Sequence, residues 1–566
     1  MAKKQPSPYD ASPWLANYDH GVPTSLSFTP THLCELLDTA ANNHPDNTAL
    51  IFRSYSLTYA QLRDQAETVA ANLHKHGVNP GDRVALMMPN MPQMVIGFWG
   101  VLKAGGVVVM TNPLYMEKEL HHQMTDSGTR HIILMDACWA KIEPFRDNIG
   151  VEKFFVASLD DHSLFPESED PLASLPFDGE RLVRYESLLE GDERLSVPYG
   201  DPHTTLALLQ YTGGTTGTPK GVMLSHANQT SNVEQFSLFL YTLRNSPQIF
   251  AALLPLFHVY GLATCLLAPT AMAAACVMIP RYDPGEFLKL VQQHKITMYP
   301  GAPSVYLSLL QHKDFAKYDL SSLRFGISGS APIPAEALER FQTISDSKII
   351  EGYGLTESSP ITHLTPALGT QKFGSIGLPL PGTDARIVDM DVGTIQMPVG
   401  ELGELIVRGP QVMSGYYNRP DETAGALRNG WLYTGDIAYM DKDGYFYIVD
   451  RKKDMAIVGG YNVYPREIDD VLLGHPKIKE AVSVAVLHPT RGEMIKAFVV
   501  PREGENLTVT EIVGYCRKHL ANYKVPRQVE FREALPRAAT GKILRRVLRD
   551  EERGKLMASR DKNKDA

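Results

Sequence analysis

Residues 211–221 read YTGGTTGTPKG, a stretch with four glycines, four threonines and one lysine. Glycine permits positive φ, so successive backbone N–H groups can converge on one point, and threonine hydroxyls add further donors there. A surface turn is the simpler explanation, but a turn needs only one or two glycines and gains nothing from the threonines or the lysine. A P-loop needs Ser or Thr directly after its lysine, whereas Gly221 follows Lys220 here. The stretch therefore predicts another kind of loop that holds a polyphosphate.

The composition of the chain narrows the class of protein. With 566 residues, 43% hydrophobic and 21% charged, it is too long for one compact core and typical of a soluble enzyme. The net charge of −9 argues against sequence-independent nucleic-acid binding. Five scattered cysteines without a CxxC pair predict reduced, mostly buried thiols. Lys3 and Lys4 precede prolines and Asp10 instead of an apolar segment, so we expect no secretory signal and a cytoplasmic protein.

Apolar strands alternate with amphipathic helices in the first half of the chain, which is the pattern of an α/β fold. RVALMMPN and VVVMTNP are typical of buried strands, and a helical pattern over 93–103 lies between them. Acidic residues, prolines and serines over 160–201 predict a surface excursion. Short strands and turns over 375–448 predict a β-rich subdomain. We predict one large domain of doubly wound sheets with this subdomain over 1–450, and a small mobile α+β domain over 451–566.

One apolar stretch leaves two interpretations open. Residues 251–280 contain no side chain of Asp, Glu or Lys, and they exceed the length needed to span a bilayer. Pro255, Pro269 and His258 interrupt the stretch, and a buried strand, helix and strand would have the same composition. We favour the buried core over the membrane span.

Two acidic motifs could serve a nucleotide. EGYGLTES at 351–358 offers Glu351, Thr356 and Glu357 as hard oxygen ligands for magnesium, although threonine before glutamate is also common where a helix begins. YTGD at 433–436 places Asp436 in a tight turn, where it could accept hydrogen bonds from ribose hydroxyls or serve the turn alone.

Single cationic or titratable residues stand in three other motifs. His258 in PLFHVYG would ordinarily be a hydrogen-bonded core histidine. Arg451 and Lys453 in VDRKKD fall at the predicted domain boundary, where an arginine usually makes a structural salt bridge. Lys542 follows a glycine turn in LPRAATGKILRR, where a lysine near a chain end would usually be solvated.

Together these motifs resemble the adenylate-forming superfamily of acyl-CoA synthetases, luciferases and adenylation domains. The resemblance covers nearly the whole chain, from LTYAQL at 57 to the RRVLRDEERGK segment. It implies a catalytic set of Lys542, His258, Thr356 and Glu357, magnesium ligands at Thr216 and Glu357, a hinge at Lys453 and a CoA tunnel lined by Gly459 and Gly460. The ATP-binding positions that it implies are Thr212, Gly213, Gly214, Thr215, Thr216, Gly217, Thr218, Lys220, Gly329, Ser330, Ala331, Glu351, Gly352, Tyr353, Gly354, Thr356, Asp436 and Arg451.

Within the superfamily, NPLYMEKELHHQMTDSG, GPQVMSGYYNRP and NVYPREI resemble the bacterial long-chain fatty-acid–CoA ligases. The resemblance implies that fatty acid, ATP and CoA react through an acyl adenylate to acyl-CoA, AMP and diphosphate, with Mg2+ as cofactor. Tyr260-Gly261 and VGGYN depart from the commoner pattern, so a CoA ligase for medium-chain or aryl acids stays open, as does a membrane nucleotide-binding transport protein. Arg545, Arg546, Arg549 and Arg553 could form a basic face for peripheral contact with the inner membrane, or simply a solvated helix. A homodimer is left open.

Overall fold

The structure is a computed structural model that describes residues 7–161, 164–165, 167, 169–195, 197, 199–212, 219–241, 246–331, 333–458, 461–488, 492–538 and 541–562. Its strands are β1 Thr48–Phe52, β2 Tyr55–Thr58, β3 Arg83–Met87, β4 Val107–Met110, β5 His131–Met135, β6 Lys153–Ala157, β7 Leu182–Arg184, β8 Leu206–Thr212, β9 Lys220–Ser225, β10 Ile249–Ala252, β11 Ala275–Met278, β12 Met298–Gly301, β13 Phe325–Ser328, β14 Lys348–Gly354, β15 Ile361–Leu364, β16 Leu378–Pro379, β17 Asp384–Val388, β18 Gly403–Arg408, β19 Gly415–Tyr416, β20 Leu427–Arg428, β21 Trp431–Met440, β22 Phe446–Arg451, β23 Ala456–Val458, β24 Tyr461–Val463, β25 Ile478–His488, β26 Gly492–Pro501 and β27 Gln528–Phe531.

The helices alternate with these strands. They are α1 Cys34–Asn43, α2 Tyr59–Lys75, α3 Pro92–Lys103, α4 Glu117–Ser127, α5 Trp139–Ile142, α6 His226–Phe239, α7 Val259–Leu262, α8 Ala268–Ala271, α9 Pro284–His294, α10 Pro303–Gln311, α11 Ala335–Ser345, α12 Pro420–Ala426, α13 Pro465–Leu473, α14 Val509–His519 and α15 Arg545–Lys562. Sequence signals mark several helix starts, since Thr58 caps α2 and Ser225 caps α6, each within a capping box.

Two large sheets confirm the predicted α/β class. One has the order β16-β15-β14-β13-β12-β10-β11-β1-β2, and the other β19-β9-β8-β4-β3-β5-β6-β7. Their central strands are parallel and fully buried, as the continuous apolar runs predict. Large buried side chains fill the core, among them Trp99, Phe154 and Tyr299. All five cysteines are buried thiols, as predicted.

By packing, the chain divides into two compact units. The first, called the N-terminal unit here, contains Trp14–Asp384 and Val407–Leu432. The second, the C-terminal unit, contains Met1–Pro13, Ala385–Ile406 and Tyr433–Ala566. The β-rich segment forms the sheet β17-β18-β21-β20 with β22 beside β21, and the last hundred residues form the β25-β26-β27 sheet with its helices. A functional division at 450/451 stays a prediction.

The apolar stretch 251–280 is a buried strand, helix and strand, which confirms the core interpretation. β10 and β11 pair in parallel, and the helical segment between them includes a π-helical turn over Ala263–Leu267. Cys265, Leu266 and Leu267 are at most 2% exposed. In the described part of the chain, no helix has both the length and the apolar character to cross a bilayer.

Two sequence predictions are wrong. The segment 160–201 is not only a surface excursion, because Leu182–Arg184 pairs in parallel with β6 at the sheet edge and Tyr185 is fully buried. The four arginines of the C-terminal helix do not form one basic face, because Arg545 pairs with Asp469 and Arg549 pairs with Asp454 at 2.6 Å. These carboxylates lie within the C-terminal unit, so two of the four cations are already neutralised there.

Candidate active site

The carboxyl ends of four parallel strands bring several predicted site residues to one edge of the nine-stranded sheet. β10, β12, β13 and β14 are neighbours in that sheet, with Gly301 opposite Ser328 and Ser328 opposite Glu351. The turn Gly329–Ala331 follows β13, and Glu351–Gly354 ends β14, so both motifs occupy the same edge. Ligands bind at this edge in open α/β sheets.

Close packing explains why two positions of these motifs are glycine. A Cβ on Gly354 would lie 1.8 Å from the carbonyl oxygen of Pro360, so any larger residue would displace the turn. A Cβ on Gly329 would lie 3.0 Å from the Tyr260 ring. The Tyr260 hydroxyl donates to the carbonyl of Ile327 at 2.9 Å, so this ring is fixed against the end of β13. Gly354 therefore allows a close approach of backbone to backbone at the sheet edge, and Gly329 leaves room for the Tyr260 ring.

His258 lies in the loop after β10, at the same edge. It caps α7, and its Nδ1 accepts the Tyr260 backbone N–H at 3.2 Å. This bond leaves the ring hydrogen of a neutral imidazole on Nε2. Gln210 of β8 donates to the carbonyl of Phe257 at 2.9 Å, which ties the histidine loop to the second sheet close to the predicted phosphate loop.

The predicted phosphate loop connects two antiparallel strands of the eight-stranded sheet. β8 and β9 pair in register up to Thr212 opposite Lys220, so these two residues form the mouth of the loop. Gly213, Gly214, Thr215, Thr216, Gly217 and Thr218 lie outside the described residues, as do Gly459 and Gly460 of the predicted CoA tunnel. The Lys220 side chain is 14% exposed and forms an ion pair with Glu422 of α12.

Side chains from two other segments, α4 and the residues just before α12, hold the base of this loop. His122 hydrogen-bonds the carbonyl of Pro219 at 2.8 Å. The hydroxyl of Tyr211 donates to Asp126 at 2.8 Å, and Arg419 pairs with the other oxygen of that carboxylate at 2.7 Å. Both ends of the loop are thus fixed on the N-terminal unit.

Glu357 lies beside the mouth of the loop and is joined to it by the short strand β19. Tyr416 of β19 pairs with Val222 of β9, and its hydroxyl donates to Glu357 Oε1 at 2.8 Å. The backbone N–H of Met413 donates to the carbonyl of Glu357 at 2.9 Å. Thr356 and Glu357 begin a single 3-10 turn, in which Ser358 Oγ accepts the Leu355 N–H. Thr356 and Glu357 therefore stand where a short helix begins, as the alternative interpretation expects, while the side chain that accepts the Leu355 N–H is that of Ser358.

The adenine-side candidate Tyr353 is half-buried at the end of β14. Its ring lies 5.9 Å from the ring of His363, at an interplanar angle of 67°. The Tyr353 backbone carbonyl accepts the Thr362 hydroxyl at 3.3 Å. The ring is thus oriented by a neighbouring strand.

In the C-terminal unit, Asp436 and Arg451 face each other on neighbouring strands. They are register partners of β21 and β22, and Arg451 Nε lies 3.0 Å from Asp436 Oδ1. Asp436 is 2% exposed. The prediction that YTGD forms a tight turn is wrong, because the motif lies inside β21, where Gly435 has φ of 70°. The strand pairing places the carboxylate opposite its arginine.

Lys542 shares this charged environment. The positive charge of Arg451, with partial desolvation second, lowers the pKa of the Lys542 amine from 10.5 to about 8, while Asp436 opposes the shift. Lys542 is exposed to solvent, so we attribute the shift mainly to charge. Burial first, and Arg451 second, lower the pKa of Lys453 to about 8 as well. The structure thus brings Asp436, Arg451, Lys453 and Lys542 into one electrostatic cluster.

An isolated β-bridge holds the segment that carries Lys542. Arg537 and Ile543 pair as an isolated antiparallel bridge, and the Lys542 carbonyl accepts the Ala538 N–H at 2.8 Å. Arg537 is fixed in turn by Glu480 at 2.8 Å. The lysine therefore stands on a braced segment ahead of α15.

Sequence reasoning missed the residues that hold the site residues in place: Tyr416, Glu422, Asp126, Arg419 and His122. Tyr416 and Arg419 lie in GPQVMSGYYNRP, and Asp126 and His122 lie in NPLYMEKELHHQMTDSG. Both strings carried the family resemblance, but no spacing rule indicated what these side chains contact.

Comparisons with known proteins identify the family of this chain. Residues 37–417 match the AMP-binding enzyme family, and residues 467–542 match the AMP-binding enzyme C-terminal domain. The chain is 43% identical over 95% of its length to the long-chain-fatty-acid–CoA ligase of Bacillus subtilis (strain 168), covering 98% of that protein. It is 38% identical over 96% of its length to the long-chain-fatty-acid–CoA ligase of Salmonella typhimurium (strain LT2), covering 99% of that protein.

A solved structure, the anthranilate CoA ligase AuaEII in complex with anthranoyl-AMP, superposes with a TM-score of 0.83 at 27% identity. The superposition covers 93% of this chain and 98% of that one. The match with the family extends over well more than half of the chain and includes the predicted phosphate loop, the sheet edge and Glu357. This chain is a member of the AMP-binding enzyme family.

Proposed function

We propose that this protein is an ATP-dependent, AMP-forming ligase that joins a long-chain fatty acid to coenzyme A. The observation that carries the proposal is the junction at β19, which ties the mouth of the phosphate loop to the Glu357 carboxylate on one rigid scaffold. Two relatives that share almost the full length of the chain are long-chain-fatty-acid–CoA ligases, and this supports the choice of substrate.

The first half-reaction joins two anions. A fatty-acid carboxylate oxygen attacks the α-phosphorus of ATP, the bond between that phosphorus and the bridging oxygen breaks, and diphosphate leaves. The barrier is electrostatic, so fixed cations and N–H donors lower it. Lys220 and the loop N–H groups would hold the polyphosphate, His258 would face the reacting carboxylate, and Lys542 would balance the charge at the α-phosphate.

In the second half-reaction the CoA thiolate attacks the carbonyl carbon of the acyl adenylate, the carbon–oxygen bond to the phosphate breaks, and AMP leaves. Asp436 and Arg451 would accept and donate at the ribose hydroxyls, and Tyr353 would pack on adenine. Gly329, Ser330, Ala331, Glu351, Gly352 and Gly354 would line the nucleotide at the sheet edge. This route needs no protein nucleophile.

The residues at the site suit a magnesium ion held together with ATP. Magnesium usually keeps several waters and takes one or two protein oxygens besides phosphate oxygens. Glu357 is half-buried and its carboxylate accepts a hydrogen bond from Tyr416. Thr356 precedes Glu357 in the sequence, and Thr216 belongs to the predicted phosphate loop. When bound, the ion would neutralise polyphosphate charge, with Glu357 and Thr216 as its protein ligands.

The substrate class is tested by a panel of acids. The purified protein is incubated with MgATP, CoA and octanoate, palmitate, oleate or ferulate, and AMP and thioester are measured. We expect the highest kcat/KM for palmitate or oleate. Turnover of ferulate or octanoate with little turnover of the longer acids would replace the proposal by an aryl or medium-chain CoA ligase. Release of ADP instead of AMP would refute adenylation.

We also propose that Lys542 and the Gly459-Gly460 pair serve different half-reactions, with Lys453 as the hinge between two domain orientations. Lys542→Ala should abolish acyl-AMP formation but still convert supplied acyl-AMP and CoA to thioester. Gly460→Leu should have the opposite effect. Equal loss of both half-reactions in both folded variants would refute the alternation. A homodimer and peripheral membrane contact remain predictions.

A further inference from the structure

Tyr416 makes contacts on three sides, which is unusual for a residue on a two-residue strand. Its backbone pairs with Val222 of β9, and its N–H donates to Thr423 Oγ1 of α12 at 2.9 Å. Its hydroxyl donates to Glu357 Oε1 at 2.8 Å. The Nζ atom of Lys220 lies 4.8 Å from the centroid of its ring. One side chain therefore contacts both the cation of the phosphate loop and the candidate metal carboxylate.

These contacts fix the direction of the hydroxyl hydrogen bond. A tyrosine hydroxyl is protonated at neutral pH and an ionised carboxylate can only accept, so Tyr416 donates this hydrogen bond to Glu357. The ring cannot turn away easily, because its face is covered by the Lys220 ammonium group and its backbone is held in the sheet. The Glu422 carboxylate keeps Lys220 in place over the ring.

From this geometry we infer that Tyr416 is a positioning residue for adenylation, which orients the Glu357 carboxylate toward the divalent cation and links its affinity to occupancy of the phosphate loop. The inference rests on the proposed function in taking Glu357 as the metal ligand. An outer residue that hydrogen-bonds a metal-ligating carboxylate fixes its orientation, and losing such a partner costs about 10–100-fold in metal affinity.

The charge arrangement explains why the link should run in both directions. ATP in the loop would bring phosphate charge beside Lys220, and the ring beneath Lys220 carries the hydroxyl that donates to Glu357. A change at one end is thus transmitted over a single side chain. By linkage, whatever ATP does to cation affinity, the cation does to ATP affinity.

The test measures binding and does not depend on turnover. Mn2+ binding to the protein with α,β-methylene ATP is followed by electron paramagnetic resonance, and binding of the nucleotide alone is measured by calorimetry. The variants are Tyr416→Phe, Glu357→Gln and the double variant. Tyr282→Phe is the matched control, because its part-buried hydroxyl contacts Ser308 at 2.7 Å in the same unit, a contact that involves neither Glu357 nor Lys220.

We expect Tyr416→Phe to weaken Mn2+ binding about 10–100-fold, to leave the melting temperature close to that of the Tyr282→Phe control, and to change nucleotide binding without metal much less. The double variant should bind Mn2+ no worse than Glu357→Gln, because Tyr416 acts through Glu357. Additive losses in the double variant, or a Tyr416→Phe effect of less than about twofold, would overturn the inference.

Failure of the inference can be told from failure of the proposed function. If Glu357→Gln leaves Mn2+ affinity unchanged, Glu357 is not the metal ligand and the inference is overturned even if acyl-CoA is made. If the metal effects appear as expected but no acid yields an acyl adenylate, the positioning role stands and the proposed reaction fails.

Discussion

Replacing Arg451 by Gln should move the pH dependence of acyl-adenylate formation. The pKa of Lys542 is lowered from 10.5 to about 8, with the charge of Arg451 as the largest cause. A lysine of pKa about 8 is about nine-tenths protonated at pH 7 and about one-tenth protonated at pH 9. If the ammonium form supports adenylation, the rate falls as pH rises through about 8, well below the value for an ordinary lysine.

The direction of the change in Arg451→Gln follows from the charges. Removal of the guanidinium takes away the repulsion and leaves the Asp436 carboxylate, which itself raises the pKa of Lys542. Both effects move the falling limb upward, from about 8 toward 10.5, a change of at most about 2.5 pH units. Arg451→Lys keeps a positive charge at this position and should leave the limb near its original place.

The assay is kcat/KM for ATP in diphosphate release without CoA, at subsaturating ATP and with a medium-chain acid, between about pH 6 and about pH 10, because kcat/KM reports the pKa values of the free enzyme. Omitting CoA removes the ionisation of its thiol from the profile. Lys542→Arg provides the second control, because a guanidinium stays charged throughout this range, so its falling limb should disappear. A limb near pH 8 that persists in Lys542→Arg, or that does not move in Arg451→Gln, would show that another group titrates.

Three further predictions concern the N-terminal unit. Glu357→Gln should abolish the magnesium-dependent step while changing the melting temperature little, since the turn is capped by Ser358; equal losses of both would contradict a metal role. Burial lowers the pKa of His131 from 6.5 to about 4, so the free energy of unfolding should fall by at most about 3 kcal/mol as the pH drops from about 6.5 to about 4. His131→Leu should flatten that dependence in calorimetry at several pH values. Gly354→Ala should lower the melting temperature and the ATP affinity, because the added Cβ would meet a backbone carbonyl. Gly514→Ala is the control, since Gly514 lies within α14 with open space around it, and it should stabilise the fold by up to about 1 kcal/mol in a denaturant titration.

The sequence predicted those elements whose burial is written into long apolar runs. RVALM, VVVM and HIILM became central strands because parallel sheets bury both faces of a strand. Leu182–Arg184 was missed because three residues between acidic and proline-rich segments carry no periodicity, and its place in the sheet depends on Phe154–Val156 beside it. The π-helical turn over Ala263–Leu267 also has no sequence signature, since it depends on packing within the helix.

The candidate site likewise contains residues that the sequence predicted and residues that it did not. Motifs selected Glu357, Asp436 and Lys542 as candidates, because a chemical role restricts residue type at fixed spacing. Tyr416 and Glu422 were not identified, since their roles depend on contacts with residues far away in the chain. The YTGD motif was assigned to a turn for the same reason, because only its pairing with β22 shows that Asp436 faces Arg451 across two strands.

The lowered pKa values of Lys542 and Lys453 indicate that the charged cluster of the C-terminal unit suits an anionic ligand. Lys542 and Lys453 both lie in the positive field of Arg451, and only Asp436 and Asp454 among their main neighbours oppose it. Like charges held together destabilise a protein until an anion arrives, and the same fixed arrangement then stabilises negative charge without having to reorganise. A bound adenylate or polyphosphate would favour the ammonium forms and so raise the pKa of both lysines. The depressed pKa of Lys542 is therefore consistent with its proposed role as a cation for bound phosphate.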